Sequence, residues 1–117
     1  MHESKLYPDR QKRVLVDIDE TICFYEGKRV YENAIPSKEN IAKINKLKDE
    51  GWYIIYWTAR GGFSQTDLYE FTTSQLDKWG CKYDQLITGY SDNPYFDTKP
   101  SFDLVIDDKA KRIEEIC

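Results

Sequence analysis

Val14-Leu15-Val16-Asp17-Ile18-Asp19-Glu20-Thr21 is a short apolar run that ends in two carboxylates one residue apart and then a threonine. Val14, Leu15 and Val16 leave neither face of an extended chain polar, the pattern of a strand buried on both sides in a helix-covered parallel sheet. Aspartate is a poor strand residue, so the strand should stop near Asp17, with both acids where the backbone turns out of the sheet. Open α/β sheets bind ligands outside the carboxyl ends of their strands, which makes this edge the candidate active site.

Working outward, residues 22–31 are mixed in character and carry a Gly27-Lys28 turn between short alternating stretches, which predicts a small hairpin or flap over the acids. A helix should begin near Pro36-Ser37, with Ser37 as its N-cap; Ile41, Ile44 and Leu47 fall on one face, and Gly51 supplies a left-handed stop. A second buried strand follows at residues 52–57, so that two strands joined by one helix make a right-handed βαβ unit. Further along, the pattern predicts a helix over 66–79 with Leu68, Phe71, Leu76 and Trp79 facing inward, ended by Gly80, and a short strand over 85–88. A long loop over 89–100 leads to a strand at Leu104–Ile106, which runs into Asp107-Asp108, and residues 109–116 suit a last short helix. The fold class expected is α/β, with a small central parallel sheet and helices on it.

Composition narrows the function. A chain of 117 residues builds one core, so residues 13–117 read as a single domain and residues 1–12 as a polar tail. A net charge of -4 argues against a broad basic face for nucleic acid, although a local patch is compatible with it. Cys23, Cys81 and Cys117 form no paired motif, and an odd count without spacing suits reduced thiols. His2 is the only histidine and lies in the polar tail, which excludes histidine-based nucleophilic catalysis and Cys/His zinc sites. No stretch has the length of a membrane span and the start lacks the apolar core of a secretion signal, so a cytoplasmic protein with no membrane partner is expected.

The predicted strands thus end in Asp17-x-Asp19, in Thr58-Ala59-Arg60 and in Asp107-Asp108, with Lys99 in the loop before the last strand. Acids crowded at one edge raise one another's pKa unless cations compensate, and a hard divalent ion such as magnesium with a lysine would do so. Thr58 and Lys99 then become donors to phosphate oxygens, and the Gly61-Gly62 turn allows backbone amides to approach closely. An aspartate can attack phosphorus while a second acid protonates the leaving oxygen and then activates water. Taken singly, each residue has a plainer reading: Thr58 as a strand-end hydroxyl, Lys99 as a solvated loop lysine, Cys23 as a small apolar side chain. Arg60 reads either as a surface residue or as a fork for a second anionic group.

In that order, Asp17-Ile18-Asp19-Glu20-Thr21, Thr58, Lys99 and Asp107-Asp108 resemble the signature of the haloacid dehalogenase-like hydrolases, over nearly all the chain from Arg13 onward. Thr58-Ala59-Arg60-Gly61, Gln75-Leu76-Asp77-Lys78-Trp79-Gly80, Lys99-Pro100 and Ile106-Asp107-Asp108-Lys109-Ala110 look similar to the small phosphatases encoded with bacterial capsule and surface-sugar genes. The resemblance implies a three-layer Rossmann-like fold and a magnesium-dependent phosphomonoesterase that works through an aspartyl phosphate. It makes Asp17 the nucleophile and Asp19 the general acid/base. It places magnesium on the Asp17 carboxylate, the Asp19 carbonyl and the last acid pair, with Asp108 as direct ligand and Asp107 behind it or paired with Lys99. Thr58, Ala59, Arg60 and Lys99 would contact the substrate. Two features depart from the subgroup: Thr98 stands where a glycine usually precedes the lysine, and the loop over 89–97 is longer.

About fifteen residues separate Thr21 from the first helix, too few for a cap domain, so the site should be open to bulky substrates or closed by a second copy of the chain. A sugar phosphate of surface-polysaccharide metabolism is the expected substrate, with the 3'-phosphate end of a nucleic acid as its rival. A receiver-like signalling module also gathers acids, Thr and Lys around magnesium, but it carries its acid pair after the first strand and its phosphorylated Asp later, the reverse of the order here.

Overall fold

A computed structural model describes residues 11–90 and 102–107. The predicted tail, the greater part of the long loop with Lys99, and Asp108 with the predicted last helix lie outside the described residues. In chain order the elements are β1 (Arg13–Asp17), β2 (Cys23–Phe24), a 3-10 turn (Tyr31–Asn33), β3 (Ile35–Pro36), α1 (Lys38–Asp49), β4 (Tyr53–Trp57), α2 (Tyr69–Lys78), β5 (Gln85–Ile87) and β6 (Leu104–Ile106).

Four strands form one parallel sheet in the order β5-β4-β1-β6. Strand residues alternate between its faces. Val14 and Val16 of β1, Ile54 and Tyr56 of β4, Leu86 of β5 and Ile106 of β6 pack with Ile41, Ile44 and Leu47 of α1 and Leu76 of α2. The intervening Leu15, Ile55 and Ile87 form a second cluster with Tyr53, Trp57 and Val105. Both described helices therefore cover the same face, as expected when β1, β4 and β5 are laid down in one direction across the sheet. The chain then returns past β1 to place β6 on its other side. The direction of winding reverses at β1 and β6, the place where open α/β sheets carry their ligand crevice.

Local chemistry accounts for the helix starts. The Ser37 hydroxyl accepts from the Asn40 amide at 3.2 Å and caps α1, and Gly51 takes φ +101° just past its end. α2 starts three residues later than the apolar pattern predicts. Residues 60–65 are taken up in turns, and Asp67 Oδ1 accepts from the Tyr69 amide at 3.0 Å, an Asx turn that opens the helix there. The predicted flap is present but larger. Cys23 pairs with Pro36 and Phe24 with Ile35, so the hairpin closes across 23–36 rather than within 22–31, and the Gly27-Lys28 turn belongs to its tip. Among the described residues no helix is long and apolar enough to cross a membrane.

Candidate active site

Strand register brings the predicted acids together. Asp17 is paired with Trp57 across β1 and β4, and Val16 with Ile106 across β1 and β6. Asp107, one step past Ile106, therefore lies level with Asp17, and Thr58 follows immediately after Trp57. Asp17 and Asp107 line one open cleft of about 230 Å³ together with Leu15, Trp57, Ala59, Val105 and Ile106. On the other side of Asp17 a second cleft of about 240 Å³ is lined by Asp17, Asp19, Glu20, Arg29, Tyr31, Thr58, Ala59 and Arg60. Asp17 and the exposed Ala59 line both clefts.

The turn after β1 is tightly built. The Ile18 carbonyl accepts from the Ile22 amide at 2.9 Å and from the Thr21 amide at 3.2 Å, while Glu20 adopts φ +67°, a left-handed conformation unusual for a residue with a side chain. The Ile18 amide donates to Asp17 Oδ1 at 2.9 Å, which orients the carboxylate at the strand end. Asn40 at the start of α1 donates through Nδ2 to the Thr21 carbonyl at 3.0 Å and ties the turn to the helix. The Thr58 amide donates to the Ile87 carbonyl at 2.9 Å, and Thr58 Oγ1 accepts from the Arg60 amide at 3.2 Å. That leaves the hydroxyl hydrogen of Thr58 to be donated to a ligand.

Asp19 and Arg60 are the most enclosed charges of the site, 7% and 1% exposed. They form a fork: Arg60 Nε donates to Asp19 Oδ2 at 3.1 Å and Nη2 to Oδ1 at 2.8 Å. The remaining guanidinium nitrogen donates to Gln75 Oε1 at 2.7 Å and to Thr72 Oγ1 at 3.4 Å, both on α2, and the group stacks on the Tyr31 ring at 4.5 Å. Arg60 is thus neither of the alternatives its sequence position suggested. It is buried, and its donors are engaged by Asp19 and α2 instead of pointing to solvent or to a substrate anion. The reason is compensation: Asp19 folds inward beneath the flap, and a carboxylate removed from water requires a cation beside it.

Tyr25 of the flap adds a short hydrogen bond from its hydroxyl to Asp19 Oδ1, and the Cys23 thiol lies 3.5 Å from the same oxygen. Burial works to raise the Asp19 pKa, but the Arg60 fork together with Tyr25 and Cys23 outweighs it and holds the carboxyl below the ordinary aspartate range. The converse applies to the neighbours. Burial and the Asp19 charge push the Cys23 thiol up to about 12, so it is a protonated, unreactive side chain, as the sequence suggested. Burial and the bond to Asp19 likewise push the Tyr25 hydroxyl well above its usual value.

The Gly61-Gly62 turn serves a different purpose from the expected phosphate cradle. The Gly62 amide donates to the Ala59 carbonyl at 2.9 Å, and Gly61 takes φ +86° with the Thr66 carbonyl only 2.2 Å from where a Cβ would lie. The two glycines close the loop after Arg60 onto itself. Tyr25, Tyr31 and Gln75 escaped the sequence reading, because their contacts join residues 6 to 44 positions apart through the flap, with no spacing motif. The signal available was the pairing of one interior Asp with one arginine two places past the threonine that follows β4.

Among the described residues, no group of three or more His, Cys, Asp or Glu is gathered closely enough to hold a metal ion. Lys99 and Asp108 of the expected set lie outside the described residues.

The fold and its site define an α/β protein with a four-stranded parallel sheet whose acids stand at the carboxyl edge. The crystal structure of an MCSG target from Vibrio cholerae is similar to it, with a TM-score of 0.65 over 91% of this chain and 87% of that one at 24% identity. That likeness extends to the fold. No family model matches the chain. No curated protein matches it either.

Proposed function

We propose that the chain is a magnesium-dependent phosphomonoesterase of the haloacid dehalogenase-like type, three-layered and without a cap domain, acting on a sugar phosphate. The observation that carries this reading is the register that sets Asp17, Thr58 and Asp107 side by side at three strand ends, with Asp19 one turn away. The donor set fits a hard cation. Asp17 and Asp107 share a cleft, the Asp19 carbonyl and Asp108 would complete the set, and the nearby Cys23 is held protonated. When bound, magnesium would neutralise the carboxylates and draw charge from the phosphate oxygens.

The first half requires an Asp19 that has taken up a proton against the Arg60 fork: Asp17 attacks phosphorus, the ester P–O bond breaks, and the leaving oxygen takes that proton. Water then attacks the aspartyl phosphate with Asp19 accepting its proton, which restores Asp17 and releases phosphate. Thr58 donates to a phosphate oxygen, and Lys99 would supply a second cationic donor. Arg60 acts through Asp19 as a positioning residue, and by favouring the charged carboxylate it suits the second, water-activating half of the cycle.

Hydrolysis of para-nitrophenyl phosphate is expected with magnesium and not with chelator, and Asp17→Asn should remove turnover with circular dichroism unchanged. Equal turnover by wild type and Asp17→Asn would overturn the nucleophile assignment.

A further inference from the structure

The flap carries a cation into the cleft. Arg29 lines the cavity with Asp17, Asp19, Thr58 and Ala59, and the hairpin that bears it is held at several points. Its base is paired through Cys23 with Pro36 and Phe24 with Ile35, and the Ser37 amide donates to the Ile22 carbonyl at 2.8 Å. Two residues beyond Arg29, the Tyr31 carbonyl accepts from Gln75 Nε2 of α2 at 2.7 Å, while the Tyr31 ring lies against the Arg60 guanidinium. The Arg29 guanidinium itself rests over the Tyr25 ring at 5.7 Å. It is therefore a positioned group, held on the open side of the cleft above the acids.

Its present partner holds it loosely. One contact, Nη2 to Glu20 Oε2 at 3.5 Å, joins two side chains that are 50% and 39% exposed, longer than the 2.7–2.9 Å of a good charge-assisted bond. Its other nitrogens make no hydrogen bond among the described residues. Arg60, the second guanidinium in the cleft, is enclosed and forked to Asp19, so among the described residues that line the cleft Arg29 is the cation that solvent and a ligand can reach. We infer that Arg29 is a specificity residue that leaves Glu20 to bind a second anionic group, a carboxylate or a phosphate, on the organic part of the substrate. The inference rests on the phosphatase reading for the group that sits at Asp17.

Matched esters test it: 3-phosphoglycerate against glycerol 3-phosphate for a carboxylate, and fructose 1,6-bisphosphate against fructose 6-phosphate for a phosphate. Wild type with magnesium should favour the doubly anionic member by roughly two- to fivefold in kcat/KM, the scale of a half-exposed ion pair. Arg29→Gln should bring that ratio close to one, Arg29→Lys should keep part of it because charge without the planar fork remains, and Glu20→Gln should increase it by removing the competitor. A ratio unchanged in Arg29→Gln overturns the assignment while leaving the phosphatase reading in place. Should wild type hydrolyse none of the four esters, the phosphatase reading is judged on para-nitrophenyl phosphate alone. The same ratio is then read from calorimetric binding of these esters, where its loss in Arg29→Gln supports the subsite and its persistence refutes it.

Discussion

Arg60 gives the clearest view of what a single side chain does here. Removing its head group would leave Asp19 buried and ionised with no cation beside it, and breaking one side of an enclosed ion pair destabilises proteins by about 3–5 kcal/mol. Arg60→Met, which keeps the volume and loses the fork, should lower the unfolding free energy measured in urea by an amount in that range, and Asp19→Asn should cost a comparable amount because it leaves the buried Arg60 guanidinium without its carboxylate. A loss under about 1 kcal/mol in Arg60→Met would show that the fork is not the stabilising contact. The pair also sets an acid limit. Asp19 is held below its ordinary value of 3.8, so the native chain takes up that proton less readily than the unfolded chain. The stability involved is fully present above the ordinary value and declines as pH falls through the lower native one. Acid unfolding of Asp19→Asn should accordingly be shallower than that of wild type over that window. That a T-A-R triplet after a strand would send its arginine inward was not legible. Arg60 and Asp19 are 41 residues apart, and the fork exists because β1 and β4 are neighbours.

Among the elements, strands and α1 follow closely from local chemistry, since apolar runs free of polar alternation and a serine cap each act within a few residues. β1 stops at Asp17 and β6 spans Leu104–Ile106, both as predicted, and α1 starts just past its Ser37 cap. The connections do not follow so simply. The flap closes across 23–36 because β2 needs β3 as a partner, and the late start of α2 reflects the turn that Gly61 makes possible. A third glycine, Gly89, fixes how that turn meets the sheet. A Cβ there would lie 2.6 Å from the Ala59 carbonyl oxygen, and the Gly89 amide donates to the Arg60 carbonyl at 3.0 Å. Gly89→Ala must push the Thr58–Arg60 backbone away from β5, since the obstructing atom is main chain and has no rotamer to change. A loss of about 2 kcal/mol in thermal or urea unfolding is expected, within the range for overpacking, together with weaker substrate binding through displaced Thr58. Gly51→Ala makes a contrast, for it has a left-handed φ with open space around it, whereas Gly89 has the close approach without a left-handed φ; a loss below about 0.5 kcal/mol in Gly89→Ala would mean that the close approach does not hold this turn.

At the scale of the whole molecule, the sheet order explains why residues from opposite ends of the chain meet. Winding β1, β4 and β5 one way and then adding β6 beside β1 sets Asp17 level with Asp107, 90 positions later in sequence. The order of the motifs was legible in advance because each ends an apolar strand, and parallel strands put all such ends at one edge. That β1 lies beside β4 was legible from the βαβ pattern; the placing of β5 and β6 was not, and neither was the division of the edge into one cleft holding Asp107 and another holding Arg29. That arrangement carries a consequence for stability independent of turnover. Two carboxylates held level by main-chain pairing are neighbours in the folded state and far apart in the unfolded one, so a divalent ion that both would hold binds the native chain preferentially. At a free concentration ten times its dissociation constant such an ion adds about 1.4 kcal/mol, which for a chain of this size raises Tm by roughly 5 °C. Magnesium should therefore raise the melting temperature of wild type, while Asp17→Asn and Asp107→Asn should each remove most of the increase. An equal magnesium shift in all three proteins would place the ion elsewhere on the surface and separate the paired strand ends from any metal.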